Sequence, residues 1–207
     1  KFNKITKIKK ITSGSTKKIS KIVDKLYKQI ITAGTFLAKD ISTAESAKVI
    51  ENIQRDVNIA LMNELVLVFN KLDINIFNVL DAANTKWNFL RFYPGLVGGH
   101  CVSVDPYYLI KRSLTAGFNP HLITEARKLN DGMGKYIVSK IKFEMKKKKI
   151  KINNSKVLIL GLAFKENCID FRNSQVIKIY ALLKKLKVNV DILDPLVNKI
   201  ELKNIHN

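Results

Sequence analysis

At 207 residues and 46% hydrophobic content, the chain has apolar material for one large domain or two modest ones. Two cysteines, Cys101 and Cys168, exclude a disulfide framework, and three scattered histidines lack the spacing of a zinc site, so no metal is expected. The net charge of +20 keeps nucleic-acid binding as a minority reading, because only five of the 37 basic residues are arginine and the lysines are spread along the chain.

Residues 1–20 alternate Lys with Ile or Thr and then reach Thr12-Ser13-Gly14-Ser15-Thr16, which predicts a short strand, a turn, and a helix capped by Ser15 or Thr16. That helix is expected over 18–38, with Ile19, Ile22, Val23, Leu26, Ile30 and Ile31 on one stripe. Ser42-Thr43-Ala44-Glu45 has capping-box spacing, and nothing breaks the helical pattern from there to about Asn70. Such a helix is ~40 Å long. Being apolar nearly all round, it calls for burial between layers or against a second subunit. Lys48, Asn52 and Arg55 stand at i, i+4 and i+7 on it and share a face. The stripe is either neutralised by Glu51 and Asp56 or forms a site for phosphate or an oxyanion.

After a shorter helix at 75–83 comes Phe92-Tyr93-Pro94-Gly95-Leu96-Val97-Gly98-Gly99-His100-Cys101-Val102-Ser103-Val104-Asp105-Pro106, a stretch with neither helical nor strand period. Glycine belongs where the backbone needs positive φ or close approach, and proline stiffens the remainder. Two readings stand side by side: a loop presenting Cys101 as a nucleophile, or a structural turn with a half-buried thiol.

A helix near 107–116 closes at Gly117. Asn119-Pro120 then opens a long helix, with Asn119 as N-cap and proline at the first helical position, running to the Lys146–Lys149 run; Gly132 and Gly134 could kink it. At Ser155 the period changes. Lys156-Val157-Leu158-Ile159-Leu160-Gly161 is expected as a parallel strand buried on both faces. An irregular segment, a helix at 173–186 and a strand over Val188–Asp194 complete a βαβ unit. The elements give an α/β class: a mainly α-helical stretch followed by a Rossmann-like parallel βαβ unit, the start of a doubly wound sheet.

Three ordered motifs carry a resemblance over nearly the whole chain. They are Ala44–Asn52 continuing through Gln54–Ala60 to Asn63-Glu64; Pro94–Cys101 with Val104–Leu109; and Gly161–Asn167 with Asp170–Ser174. Together they resemble the UDP-glucose/GDP-mannose (nucleotide-sugar) dehydrogenase family. Gly98-Gly99-His100-Cys101 and Thr85-Lys86-Trp87-Asn88-Phe89 look most like members acting on UDP-N-acetylhexosamines. The resemblance implies oxidation of the sugar C6 alcohol to a carboxylate with two NAD, in surface polysaccharide precursor synthesis. Cys101 would attack the aldehyde, and a thiohemiacetal would become a thioester for water to cleave. Lys48 would stabilise the oxyanion with Asn52 beside it, and Asp105 would orient water or the Lys ammonium. Arg55, Gly98 and Lys165 would contact the UDP-sugar, and Arg172 would reach the cofactor.

The implied domains are 1–17, a remnant of the NAD-binding domain; 18–150, the helical dimerisation domain with the cysteine loop; and 151–207, a truncated UDP-binding domain. Implied partners are the UDP-sugar, a second copy through the central helices, and a separate NAD-binding chain. No G-x-G-x-x-G follows a strand, so the expectation is a middle fragment of a cytoplasmic enzyme. The alternative from another class is a non-catalytic dimerisation remnant.

Overall fold

In the computed structural model, which describes residues 4–197, Thr16 opens the first α-helix. Its hydroxyl accepts from the Ile19 amide at 3.2 Å, as the turn sequence predicts. The first of two units, 1–51, contains strand β1 (Lys10–Thr12), helix α1 (Lys17–Ile30) and strand β2 (Thr35–Leu37). The strands are parallel, with Lys10 opposite Thr35 and Thr12 opposite Leu37.

Two expectations fail here. The helix forecast to 38 stops at Ile30, because Gly34 takes φ +82° and turns the chain into β2. The isoleucine–leucine stripe of α1 faces outward, with Ile22, Leu26 and Ile30 each more than half exposed. The buried side instead carries Ser20 and Asp24. Asp24 is stable there because Thr12 Oγ1 (2.7 Å), Thr35 Oγ1 (2.6 Å) and Lys28 Nζ (2.7 Å) all reach its carboxylate. Those bonds, led by Lys28, pull its pKa down to about 2.

Helix α2 (Ile41–Lys71) is continuous over 31 residues, which makes it ~46 Å long. Its cap is not Ser42. Asp40, a residue before the helix, accepts from the Thr43 amide at 2.7 Å, and a carboxylate there also suits the positive helix end. The α2 residues that are buried include Asn52, Asp56 and Asn63 beside Ile53, Ala60 and Met62, while Ile50, Leu61 and Val68 are exposed. The helix therefore buries polarity rather than a uniform apolar surface.

The second unit, 52–207, takes in the rest of α2. Helix α3 (Ile76–Ala83), capped by Asn75, packs Ile76 and Leu80 against Met62. Helix α4 is Asp105–Thr115, and Gly117 at φ +83° closes it. Helix α5 (His121–Lys147) begins after Pro120, which is itself the N-cap, so the forecast cap at Asn119 is displaced by one residue. It runs unbroken through Gly132 and Gly134. A Cβ at Gly134 would meet Ile179 at 3.5 Å, an ordinary contact, so the packing of α5 against α6 does not itself demand glycine there.

Strands β3 (Lys156–Leu160) and β4 (Asn189–Leu193) pair in parallel around helix α6 (Gln175–Lys185), whose cap is Ser174. Val138, Ile179, Tyr180, Leu183, Val188 and Val190 form the core beneath them. Burial on both faces of β3 does not hold: Leu158 and Leu160 are exposed, because α5 and α6 cover one side only. Each unit has its own parallel two-stranded pair, and together with the helices they give the expected α/β class. Residues 1–3 of the first expected domain and 198–207 of the last lie outside the described residues.

Candidate functional site

The loop between α3 and α4 is fastened at Gly95 by Asn63 of α2. The Gly95 amide donates to Asn63 Oδ1 at 2.9 Å, and Asn63 Nδ2 donates to the Gly95 carbonyl at 2.9 Å. The side-chain amide thus pairs with the loop backbone as a strand neighbour would. Further on, Gly99 takes φ +87°. What the glycines admit is protein: a Cβ on Gly98 would lie 2.8 Å from the Asn173 carbonyl, and one on Gly99 2.8 Å from the Phe164 ring.

Cys101 is exposed, free, and seated in a tight turn whose carbonyl accepts from the Val104 (3.0 Å) and Asp105 (2.8 Å) amides. Asp105 begins α4 and accepts from Asn52 Nδ2 at 2.5 Å. Asn52 and Asp105 thus meet through their side chains, and Cys101 is joined to Asp105 through the backbone of the turn, four residues before it.

The other expected residues are placed less uniformly. Lys48, in the first unit, is exposed and its ammonium lies 3.1 Å from Glu51, so half of the internal-pairing alternative holds. Asp56 does not complete that alternative, since its partner is Arg127. Arg55 stands on an exposed position of α2. Lys165 is exposed with its ammonium 5.4 Å over the Phe164 ring. Arg172 is held by Asp170 through Nε and Nη2, each at 2.9 Å, and His100 Nε2 lies 3.5 Å from the same carboxylate. Arg172, first by its side chain and then by its amide, holds the Asp170 carboxyl well below the usual range.

Sequence reasoning passed over the deepest part of the site. Arg127, 1% exposed, donates to Asp56 Oδ1 at 2.6 Å and to Asp131 Oδ1 at 2.9 Å. Asn130 donates to Asp56 Oδ1 at 2.7 Å and accepts from Asn63 at 2.9 Å. Asp131 also accepts from Tyr107 (2.6 Å), Gln175 (3.1 Å) and Lys178 (3.4 Å), joining α4, α5 and α6. Burial pushes the Asp56 carboxyl upward against the pull of Arg127, and its Oδ2 has no hydrogen-bond partner. Burial also works against the Asp131 charge, but Tyr107, Arg127 and Lys178 outweigh it and hold the carboxyl low. In sequence, Arg127, Asn130 and Asp131 stand at i, i+3 and i+4 and so share a helix face, but Glu125 and Lys128 beside them mask the pattern.

A cavity of about 430 Å³ opens between the loop and α6, lined by Ser103, Tyr107, Asp131, Asn173, Gln175 and Lys178. Among the described residues no three His, Cys, Asp or Glu side chains are grouped to share a metal, and no helix is long and apolar enough to cross a membrane.

Residues 42–132 match the model of the UDP-glucose/GDP-mannose dehydrogenase family central domain, and 158–207 that of the same family's UDP binding domain. The chain belongs to this family. It is 52% identical over 198 residues to a UDP-N-acetyl-D-glucosamine 6-dehydrogenase of Pseudomonas aeruginosa, covering 96% of this chain and 47% of that protein. Protein CapL of Staphylococcus aureus is 50% identical over 95% of this chain and 46% of its own length. The structure of a UDP-D-ManNAc dehydrogenase from Pyrococcus horikoshii superposes with a TM-score of 0.83 at 34% identity, over 92% of this chain and 45% of that one. The chain thus spans about half the length of the relatives it matches.

The family resemblance implies a nicotinamide dinucleotide, and the described residues do not fit one. The β1–α1 turn offers a single glycine, Gly14, whose Cβ would lie 2.7 Å from the Ser20 amide. At the end of β4, where an acidic residue would take a ribose, Asp194 is already spent on the backbone. It accepts from Leu162 (2.7 Å), Ala163 (3.3 Å) and Leu196 (3.0 Å).

Proposed function

We propose that this chain carries the covalent centre of a UDP-N-acetylhexosamine 6-dehydrogenase, with UDP-N-acetyl-D-glucosamine the favoured sugar, serving surface polysaccharide precursor synthesis. The observation behind the reading is the exposed Cys101 thiol in the turn before Asp105, whose carboxylate Asn52 orients. The choice of epimer follows the relatives: those bearing the glucosamine name are 52% and 53% identical, and the mannosamine enzymes 33–38%.

In the chemistry assigned to this chain, the Cys101 thiolate adds to the C6 aldehyde. The C–S bond forms and the carbonyl π pair moves to oxygen. Lys48 and Asn52, a turn apart on α2, are the proposed donors to that oxyanion; Lys48 leaves Glu51 to do so. Later, water adds to the thioester carbonyl and the C–S bond breaks, returning the thiolate, with Asp105 orienting the water. Arg55, Gly98 and Lys165 are assigned to the UDP-sugar and Arg172 to the cofactor side. The hydride removals belong to NAD, for which the described residues supply no complete site beyond the proposed Arg172 contact. The proposed assembly is a dimer through the central helices, with 1–17 assigned to the NAD-binding domain, 18–150 to the dimerisation domain and 151–207 to the UDP-binding domain. The described structure extends the α/β character of the first region through β2.

The test is NADH formation from UDP-N-acetylglucosamine by the chain alone and with a separately supplied NAD-binding domain. Turnover is expected only in the second case and only with Cys101 intact. No NADH in either case, or turnover that survives Cys101→Ala, sinks the reading.

A further inference from the structure

We propose that Asn63 is a positioning residue for the Cys101 loop, and that Asn130, Asp56 and Arg127 hold its carboxamide in one orientation. The inference rests on the proposed function only in taking Cys101 as the reacting thiol.

Asn63 is 0% exposed, and its carboxamide could rotate by half a turn with almost no change in volume. Rotated, its N–H would face the Gly95 N–H and its oxygen the Gly95 carbonyl, turning two hydrogen bonds into two repulsions. Some feature must therefore select one orientation. Asn130 Oδ1 does so by accepting from Asn63 Nδ2 at 2.9 Å. Asn130 is in turn oriented because its own Nδ2 donates to Asp56, to the carboxylate at 2.7 Å and the carbonyl at 3.0 Å. Asp56 can be a pure acceptor because Arg127 lies 2.6 Å away. The polarity of one buried ion pair is thereby passed through two amides to the backbone of the loop.

The same network holds the far end of the loop. Arg127 also grips Asp131, which accepts from Tyr107 on α4, the helix into which the loop runs. Cys101 lies between Gly95 and Tyr107, with both flanks tied to one buried arginine. Within the stretch 92–106 the loop supplies no regular secondary structure before Asp105, so its position has to come from outside it.

The test uses the purified chain and the rate of iodoacetamide alkylation at Cys101, read by peptide mass spectrometry from about pH 6 to 9.5, a span that brackets ordinary thiol ionisation. Cys168 in the same molecule is the internal reference. Asn63→Ala is expected to change the Cys101 rate by about threefold or more and to move the midpoint of its pH profile, with Cys168 within about 1.5-fold. Leu183→Ala, which opens the core under α6, is the control for lost stability and is expected to leave the Cys101 profile in place. An unchanged Cys101 profile in Asn63→Ala, or an equal change in Leu183→Ala, overturns the proposal. If Asn63→Ala does not fold, Arg127→Lys, which cannot bridge Asp56 and Asp131 in the same fork, takes its place under the same criteria. Protection of wild-type Cys101 by UDP-N-acetylglucosamine is measured alongside; its absence overturns the substrate assignment and leaves the positioning result to be judged separately.

Discussion

Arg127→Met isolates the energetics of the buried network. The arginine side chain is 2% exposed and its partner Asp56 0% exposed, at 2.6 Å, so solvent cannot take over when the guanidinium is removed. Leaving one charge of such a pair buried costs about 3–5 kcal/mol, whereas replacing both members with neutral groups is often close to neutral. At a urea slope of about 2 kcal/mol per molar, the single variant should lose roughly 1.5–2.5 M of its unfolding midpoint. Asp56→Asn added to Arg127→Met should recover most of that loss. The pH response gives an independent check. Burial already raises the Asp56 carboxyl, and loss of Arg127 removes a cation that opposes the rise, so the folded pKa climbs further. A carboxyl raised in the folded state binds a proton there that the unfolded chain releases. Stability of Arg127→Met is therefore greatest below the ordinary carboxylate value of 3.8 and falls as pH rises through the folded value. Urea midpoints followed by circular dichroism at pH 5 and 7 test this. A single variant as stable as wild type, a double variant no better than the single, or a single variant that gains stability toward neutral pH would refute the reasoning.

Asp24 has the opposite sign. Its folded pKa is lowered to about 2 from 3.8, so the support it gives β1, α1 and β2 is present above about pH 4 and is lost between there and pH 2. Amide exchange of residues 10–12 and 35–37 should accelerate across that window, and Asp24→Asn should exchange fast throughout and flatten the dependence. Gly99→Ala combines a positive φ with a Phe164 collision at 2.8 Å and should cost roughly 2–4 kcal/mol, measured by denaturant unfolding. Gly95→Ala is the contrast, since its Cβ meets nothing within 4 Å, and should stay within about 0.5 kcal/mol. Asp194→Ala leaves the buried Leu162 amide without its acceptor and should destabilise the β3–α6 region by about 1–3 kcal/mol, with exchange at Leu162 and Ala163 rising first.

What the sequence reveals of this molecule follows from how local each cause is. The helix start at Ser15 or Thr16 is visible because a hydroxyl caps the backbone of its own turn, and the closing turn at Gly117 is visible for a similar reason; the Ser174 cap, inside the helix expected from 173, was not singled out. The start of α2 was misread because two capping residues stood two positions apart, and Asp40 prevailed over Ser42. The outward stripe of α1 shows where periodicity stops being enough. Apolar spacing marks a face, but three donors converging on Asp24 from β1, β2 and the next helical turn make the polar face the buried one. Cys101, Asn52 and Asp105 are grouped by the family resemblance; from the residues alone only the spacing of Cys101 and Asp105 within one stretch is visible, and Asn52 lies on a helix about 50 positions earlier. The network behind them could not be grouped, since Asn63, Arg127 and Asn130 are 64 and 67 positions apart across α2 and α5 and no local pattern couples them. Chemistry carried by one loop is legible in a single sequence. The orientation of that loop is a tertiary property, set here by a buried charge whose residues stand among other polar residues of α5 and are not singled out by local pattern.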